Sequence, residues 1–194
     1  MGGLGTGTGV PVVVDRLDRA VQVFLATHRP HWAVPLARAV MRLGTTPSGL
    51  TLCLVAGLVL VWGLRAWRAA ATAVAALAVA TVLAWLGKDL VQRARPPRDL
   101  ALVKVGGWAF PSTHAAQTSS LVVAFVVAVA LTGARRVVLA VAGGLAVLLV
   151  GVCVVFLGAH WLCDVLAGWL LGVPVGVLAG RWARRAGRAG RVAA

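Results

Sequence analysis

The chain has 194 residues, of which 60% are hydrophobic and 12% charged, and its mean hydropathy is +0.92. Soluble domains average about 45–50% apolar and about 25% charged residues, so this composition excludes an ordinary soluble globule and a disordered chain. The net charge of +14 does not indicate a nucleic-acid partner, because the basic residues form short clusters between long apolar runs rather than one soluble basic face. We therefore expect a single multi-pass membrane bundle.

The N-terminal region contains no clean membrane span. Residues 1–10 are rich in Gly and Thr and resemble neither a signal peptide nor a folded element, so we expect a flexible N-terminus there. From Pro11 to Leu43 apolar and charged residues alternate, with an interruption at His28-Arg29-Pro30-His31. Because about 20 apolar residues are needed to cross the hydrocarbon core, this region predicts an interfacial helix pair or one poor crossing.

Five apolar runs follow, and each approaches spanning length with its flanking residues. Glycines inside these runs would be costly in a soluble helix, whereas in lipid they let helices pack closely. The expected fold class is all-α: a transmembrane helix bundle of five clear spans plus one amphipathic or poorly hydrophobic N-terminal helix. The membrane domain is expected over residues 11–180, followed by a basic tail over 181–194. The runs are Leu50–Leu64, Ala69–Leu86, Ala115–Ala134, Val137–Ala159 and Val165–Gly180.

Arginine clusters after the first, third and fifth runs predict the orientation of the bundle. With alternating spans these clusters lie on one side, and the positive-inside rule makes that side cytoplasmic. The segment from Lys88 to Pro111 and the turn before His160 then face outward. Arg far outnumbers Lys, and the composition is dominated by Ala, Val and Gly. From this composition we expect a bacterial cell membrane. The clusters are Arg65 and Arg68, Arg135 and Arg136, and Arg181, Arg184, Arg185, Arg188 and Arg191.

Polar residues at the predicted outward ends carry the groups that phosphate-ester hydrolysis needs: cations, a nucleophile and an acid. Lys88 and Arg95 are candidates for a phosphate clamp, although a snorkelling Lys and a solvated Arg are common at span ends. His160 and Asp164 lie four residues apart and share a helix face. The carboxylate can fix the imidazole tautomer, which leaves the other nitrogen as a nucleophile. The alternative is a polar pair that joins two helices.

The segment before the third apolar run predicts a helix N-terminus. Ser112 would be its N-cap, and the free N–H groups beside it would attract an anion. His114 lies in the first turn, where it could protonate a leaving group, although a capped helix with an incidental histidine is the plainer interpretation. The chain has no Glu and only five Asp residues, so a metal cage of several carboxylates is hard to assemble.

The order and spacing of three motifs resemble those of the type-2 phosphatidic acid phosphatase (PAP2) superfamily, over about Trp32 to Gly180. This resemblance implies a six-helix α-bundle and hydrolysis through a phosphohistidine, without a metal or cofactor. By the same resemblance His160 is the nucleophile, Asp164 orients it and His114 is the general acid, while Lys88, Arg95, Ser112 and Thr113 hold the phosphate. The motifs are Lys88-x6-Arg95-Pro96, Pro111-Ser112-Thr113-His114 and His160-x3-Asp164.

Two positions depart from the family pattern. Thr113 replaces a usual Gly, and Cys153-Val154 replaces a usual Ser-Arg pair, so a phosphate-binding guanidinium is missing. Loss of one such donor typically costs about 2.7–4 kcal/mol, or roughly 10²–10³ in rate. Arg98, Arg93 or Lys104 are the candidate substitutes for this missing cation.

The leading functional prediction is a membrane phosphatase that hydrolyses a lipid phosphate or prenyl diphosphate at the outer leaflet. Its partners would then be that substrate and membrane lipids. The alternative is a catalytically impaired relative that binds lipid phosphate as a scaffold, which the missing arginine favours. A channel or transporter predicts a polar stripe through the middle of the membrane. Polar residues in the third and fourth runs are instead confined to the outer end.

Overall fold

The computed structural model describes residues 12–192, except for the side chains of residue 50 and of residues 188–192. Within residues 12–192 the chain forms seven α-helices and no strand. The flexible N-terminus predicted over residues 1–10 lies outside the described residues. The helices are α1 (Val12–His28), α2 (Ala33–Leu43), α3 (Pro47–Leu64), α4 (Trp67–Val91), α5 (Thr113–Ala128), α6 (Gly133–Phe156) and α7 (Leu162–Val192).

The predicted all-α, multi-pass fold class is confirmed, with two shifted boundaries. Helices α3, α4, α6 and α7 are long and apolar enough to cross a membrane, whereas α5 is apolar but has 16 residues. The prediction carried this span on to Ala134. The chain instead leaves α5 after Ala128 and starts α6 at Gly133, whose φ of 56° suits a turn. Residues 181–192, predicted as a tail, continue helix α7.

The N-terminal region forms a pair of helices, which makes one helix more than the implied six, and the interfacial position of this pair stays a prediction. Pro30 separates them, since a proline disfavours helical backbone in the residue before it. Helix α1 buries its polar face: Asp18 and Gln22 are buried, while Leu17 and Phe24 are exposed. Polar side chains of membrane helices face the bundle interior, so this pattern is typical of a helix with its apolar face in lipid.

The closest packing in the bundle joins α5 and α7 through small residues. Gly168, Gly172, Gly176 and Gly180 recur every four residues on α7 and face the α5 backbone. A Cβ at Gly168 would lie 2.6 Å from the carbonyl oxygen of Ser112, so only glycine permits this approach. The contact brings the first turns of α5 and α7 side by side, at the end of the bundle that carries the predicted site.

The predicted arginine-rich segments meet at the other end of the bundle. Residues 64–69, residues 128–132 and the α7 residues Ala183, Arg184 and Gly187 line one cavity of about 550 Å³. The connection between α3 and α4, the connection between α5 and α6 and the end of α7 therefore lie on the same side. This is the arrangement that the alternation of spans predicts.

Candidate active site

The three sequence motifs are joined by direct hydrogen bonds. The backbone N–H of Ser112 donates to the carbonyl oxygen of Asp164 at 2.9 Å, which links the second motif to the third. The indole N–H of Trp161 donates to the carbonyl oxygen of Ala94 at 2.8 Å, which links the third to the first. The end of α4, the start of α5 and the turn between α6 and α7 therefore form one site.

His160 presents one ring nitrogen to a cation and the other to a carboxylate. Its Nε2 lies 3.2 Å from Nη1 of Arg95, which also donates to the Ala159 carbonyl oxygen at 2.6 Å. Because a guanidinium can only donate, we assign the Nε2 lone pair as the acceptor and place the imidazole proton on Nδ1. Nδ1 lies 3.4 Å from Oδ2 of Asp164, outside good hydrogen-bond geometry. Catalytic hydrogen bonds are often this long before substrate binds.

The surroundings of His160 keep its ring neutral. Burial and the positive charges of Arg95 and Lys88, partly opposed by Asp164, together lower the pKa of His160 to about 4. His160 is 2% exposed, so desolvation is the main cause. Over the physiological range the ring therefore keeps the unprotonated Nε2 that a nucleophile needs.

Backbone carbonyl groups of the loop between α4 and α5 hold both predicted clamp cations. Nε of Arg95 donates to the carbonyl oxygens of Gly106 at 3.1 Å and Gly107 at 3.0 Å, and its Nη2 donates to that of Trp108 at 3.2 Å. Nζ of Lys88 donates to the same Trp108 oxygen at 2.7 Å. These contacts fix the positive charges before a ligand arrives, which is what preorganised anion binding requires.

The second motif forms a capped helix start, as predicted. Ser112 is the N-cap of α5, and its Oγ accepts from the Ala115 N–H at 3.4 Å. Oγ1 of Thr113 is buried and has no hydrogen-bond partner in the described chain. The partly buried His114 ring likewise makes no hydrogen bond to any described residue, and it lies within the field of Lys88 and Arg95. The His114 ring therefore lies in the field of the same two cations as His160.

Arg93, named from the sequence only as a substitute phosphate ligand, has a different role. Its side chain is 3% exposed and contacts Asp15 at 2.7 Å, Asp18 at 2.8 Å and Asp164 at 3.0 Å. The guanidinium also lies 5.3 Å from the centre of the Trp161 ring. Because three carboxylates already surround Arg93, it is not available to a phosphate, and that hypothesis is wrong. Arg93 instead fixes the carboxylate that faces His160.

Helix α1 supports the turn between α6 and α7 and the first turn of α7. This role was not predicted from the sequence. The buried Gln22 donates to the carbonyl oxygens of Val155 at 3.1 Å and His160 at 2.9 Å. Asp18 accepts the backbone N–H of Cys163 at 3.0 Å in the first turn of α7. Asp15, Asp18 and Gln22 are spaced by three and four residues, so they share one face of α1. That spacing within an apolar segment was the available signal.

The position of the missing family arginine is apolar in this structure. Val154 is 1% exposed and packs in a buried cluster with Val155, Ala159 and Val165. An apolar side chain therefore fills the position of the family arginine. Arg98 and Lys104, the other two candidate substitutes, line a separate cavity that they share with Arg95.

No three His, Cys, Asp or Glu side chains among the described residues are arranged to hold a metal ion. The carboxylates of the site surround Arg93 instead. The side chains of Lys88 and Arg95 supply positive charge that faces His160.

The comparisons with known proteins agree with the motifs. The family model of the PAP2 superfamily matches residues 66–188, well over half of the chain. The crystal structure of a transmembrane PAP2 type phosphatidylglycerolphosphate phosphatase from Bacillus subtilis is similar, with a TM-score of 0.76 and 22% identity. That similarity covers 90% of this chain and 88% of that chain. None of the curated proteins matches. The chain is therefore an integral membrane protein that belongs to the PAP2 superfamily.

Proposed function

We propose that the chain is a membrane phosphatase that hydrolyses a lipid phosphate or prenyl diphosphate at the outer leaflet through a phosphohistidine. One observation carries the proposal: the lone pair of a neutral, buried His160 faces a fixed guanidinium. Nε2 of His160 lies 3.2 Å from Arg95, so an anion that replaces this contact meets the cation and the nucleophile together. Membership of the PAP2 superfamily supports phosphatase activity in general.

The proposed reaction has two displacements at phosphorus. Nε2 of His160 attacks the phosphorus while the bond to the leaving oxygen breaks, and the electron pair of that bond stays with the leaving oxygen. His114 in its protonated form gives that oxygen a proton and is left neutral. The Nδ1 proton of His160 moves closer to Asp164 as the ring gains positive charge. Water then attacks the phosphohistidine, His114 accepts the water proton, and free phosphate and His160 are regenerated.

The same groups of the site would bind the phosphoryl oxygens. Arg95 and Lys88 supply the positive charge, and the N-terminus of α5 at Ser112 and Thr113 supplies N–H donors and the unpartnered Thr113 hydroxyl. Because the His160 ring is neutral, the nucleophile carries no negative charge that would repel the negatively charged phosphoryl group. Because the chain's own cations provide this charge, we propose that no metal ion is needed.

A lipid substrate and an outward-facing site are supported by the shape and charge of the bundle. The arginine-rich segments gather at the end opposite the site, and the positive-inside rule assigns that end to the cytoplasm. Large apolar side chains are exposed along the helices, which is typical of a surface in contact with lipid. A bacterial cell membrane is the proposed location.

The buried Val154 favours one alternative, a relative that binds lipid phosphate without hydrolysing it. A scaffold needs the cations Lys88 and Arg95 but not the missing arginine. It also has no need for a neutral nucleophile oriented by a buried carboxylate. The arrangement of His160 and Asp164 is why hydrolysis is the first proposal.

The test compares phosphate release by the full chain in detergent, with EDTA present, from a panel of prenyl and glycerolipid mono- and diphosphates. We expect release by the wild type and by the control variant His28→Ala, whose exposed histidine lies on α1. We expect no release by His160→Ala, and an acid-labile, base-stable phosphorylated chain only when His160 is present. Binding without release by the wild type would establish the scaffold alternative. Loss of activity in EDTA would overturn the metal-free mechanism.

A further inference from the structure

A small basic cavity adjoins the proposed active site at Arg95. Its volume is about 220 Å³, and its walls include Arg95, Arg98, Lys104 and the backbone of Gly158 and Ala159. His160, Lys88 and His114 do not line it. The cavity is therefore a neighbour of the reacting site that shares one guanidinium with it, rather than the reacting site itself.

The two further cations of this cavity are uncommitted. Among the described residues no hydrogen bond or ion pair engages the side chain of Arg98 or Lys104. The acidic neighbour in sequence, Asp99, does not line the cavity. Arg93, in the same loop, is by contrast surrounded by three carboxylates. Three positive groups and no carboxylate therefore line the cavity, a combination that attracts an anion.

The wall of the cavity is held in place by backbone contacts. The Leu102 N–H donates to the carbonyl oxygen of Leu157 at 2.9 Å, which joins the loop to the end of α6. Gly158 has a φ of 74°, and a Cβ there would lie 2.7 Å from Cα of Ala101. This close approach fixes the loop that carries Arg98 and Lys104 against the turn that carries His160.

We propose that this cavity is a second phosphate subsite that shares Arg95 with the reacting site. Its volume is below the roughly 300–1,000 Å³ of drug-sized ligand pockets, which fits one small anionic group better than a lipid chain. The phosphate group it takes has two sources: the second phosphate of a diphosphate substrate, or the free phosphate product. In either case the phosphate is bound by cations other than the family arginine that Val154 replaces. The assignment of a source rests on the proposed function.

Binding to an inactive chain tests the subsite separately from catalysis. Inorganic pyrophosphate is titrated into the full chain carrying His160→Ala in detergent, with and without Arg98→Ala and Lys104→Ala. Because hydrogen bonds to charged groups contribute about 1.5–3 kcal/mol, we expect the double change to weaken binding by at least about tenfold. The control pair Arg16→Ala and Arg19→Ala removes two exposed charges from α1 and should leave the affinity within about twofold. If pyrophosphate binds with equal affinity with and without Arg98→Ala and Lys104→Ala, the proposal is overturned.

Kinetics in the active chain then identify the source. If the subsite holds the second phosphate of the substrate, the double change lowers the kcat/KM ratio of prenyl diphosphate to prenyl monophosphate about tenfold. If it holds the product, the inhibition constant of inorganic phosphate rises about tenfold and the ratio stays constant. With the charge-preserving pair Arg98→Lys and Lys104→Arg, the kcat/KM ratio or the inhibition constant should return most of the way to the wild-type value. An unchanged ratio and an unchanged inhibition constant would overturn the subsite. Absence of hydrolysis in the wild type would overturn the proposed function but not the pyrophosphate result.

Discussion

Replacement of Arg93 by Met removes the centre of the carboxylate cluster while keeping an unbranched side chain of similar length. In the native chain the guanidinium is 3% exposed and contacts Asp15, Asp18 and Asp164. After the change Asp18 and Asp164 stay buried without a cation. Asp15 has a half-exposed side chain and returns to solvent at little cost. The expected effect therefore comes mainly from two of the three carboxylates.

The magnitude follows from the cost of an uncompensated buried charge. Removal of one partner from a buried ion pair typically costs about 3–5 kcal/mol. For a chain of this size, 1 kcal/mol corresponds to about 2–4 °C in Tm, so Arg93→Met should lower Tm by about 6–20 °C. Asp164 would also lose the contact that fixes it beside His160, so kcat should fall more than KM changes.

The assay is thermal unfolding of the full chain in detergent, followed by tryptophan fluorescence. Arg19→Met is the matched control, because Arg19 is exposed on α1 and its removal should change stability by no more than about 0.5 kcal/mol. In the double variant Arg93→Met with Asp18→Asn, one buried charge is neutralised, so the combined loss should be smaller than the sum of the two single losses. A Tm of Arg93→Met equal to that of the wild type, or strictly additive losses, would refute this reasoning.

Three further predictions concern pH, helix packing and the support of the turn. Because folding lowers the pKa of His160 to about 4 from the usual 6.5, the unfolded chain binds its proton first as the pH falls. Stability should be full above pH 6.5 and decline towards pH 4, and denaturation at pH 7 and pH 5 should show a smaller decline in His160→Gln. Gly172→Ala places a Cβ against Ser119 and should lower Tm, whereas Gly144→Ala meets open space and should not, as thermal scans would show. Gln22→Leu leaves the His160 carbonyl oxygen without its donor, whereas the Val155 carbonyl oxygen keeps the N–H of Gly158, so the change should cost about 1–3 kcal/mol, measured by the same scans with Thr27→Val as an exposed control.

The parts of the structure that follow from local sequence were predictable. Apolar runs of spanning length mark helices whatever surrounds them, and a Ser followed by a helical run predicts the cap at Ser112. Alternation of spans puts the ends that carry Lys88, Ser112 and His160 on one side of the bundle. The family pattern added the pairing of these ends. The catalytic roles of these residues stay predictions.

The parts that depend on partners distant in sequence were not predictable. An amphipathic helix turns its polar face to water in one setting and to the bundle interior in another, and the pattern of α1 is the same in both. Arg93 and Arg95 are two residues apart in an irregular loop, where no periodicity indicates which one meets His160. The end of α5 at Ala128 was missed for a different reason: the residues that follow are as apolar as those of the helix.

The distribution of the acidic residues explains how the site keeps its positive field. Of the five Asp residues, three gather on Arg93 and the other two, Asp89 and Asp99, are exposed. Arg93 thus pairs with the carboxylates behind His160, and a single carboxylate, Asp164, contacts both His160 and Arg93. Lys88 and Arg95 are left to bond with neutral backbone carbonyl groups, which position a cation without cancelling its charge. We propose that a phosphate entering the site meets these two cations in a preorganised frame, which compensates in part for the guanidinium absent at Val154.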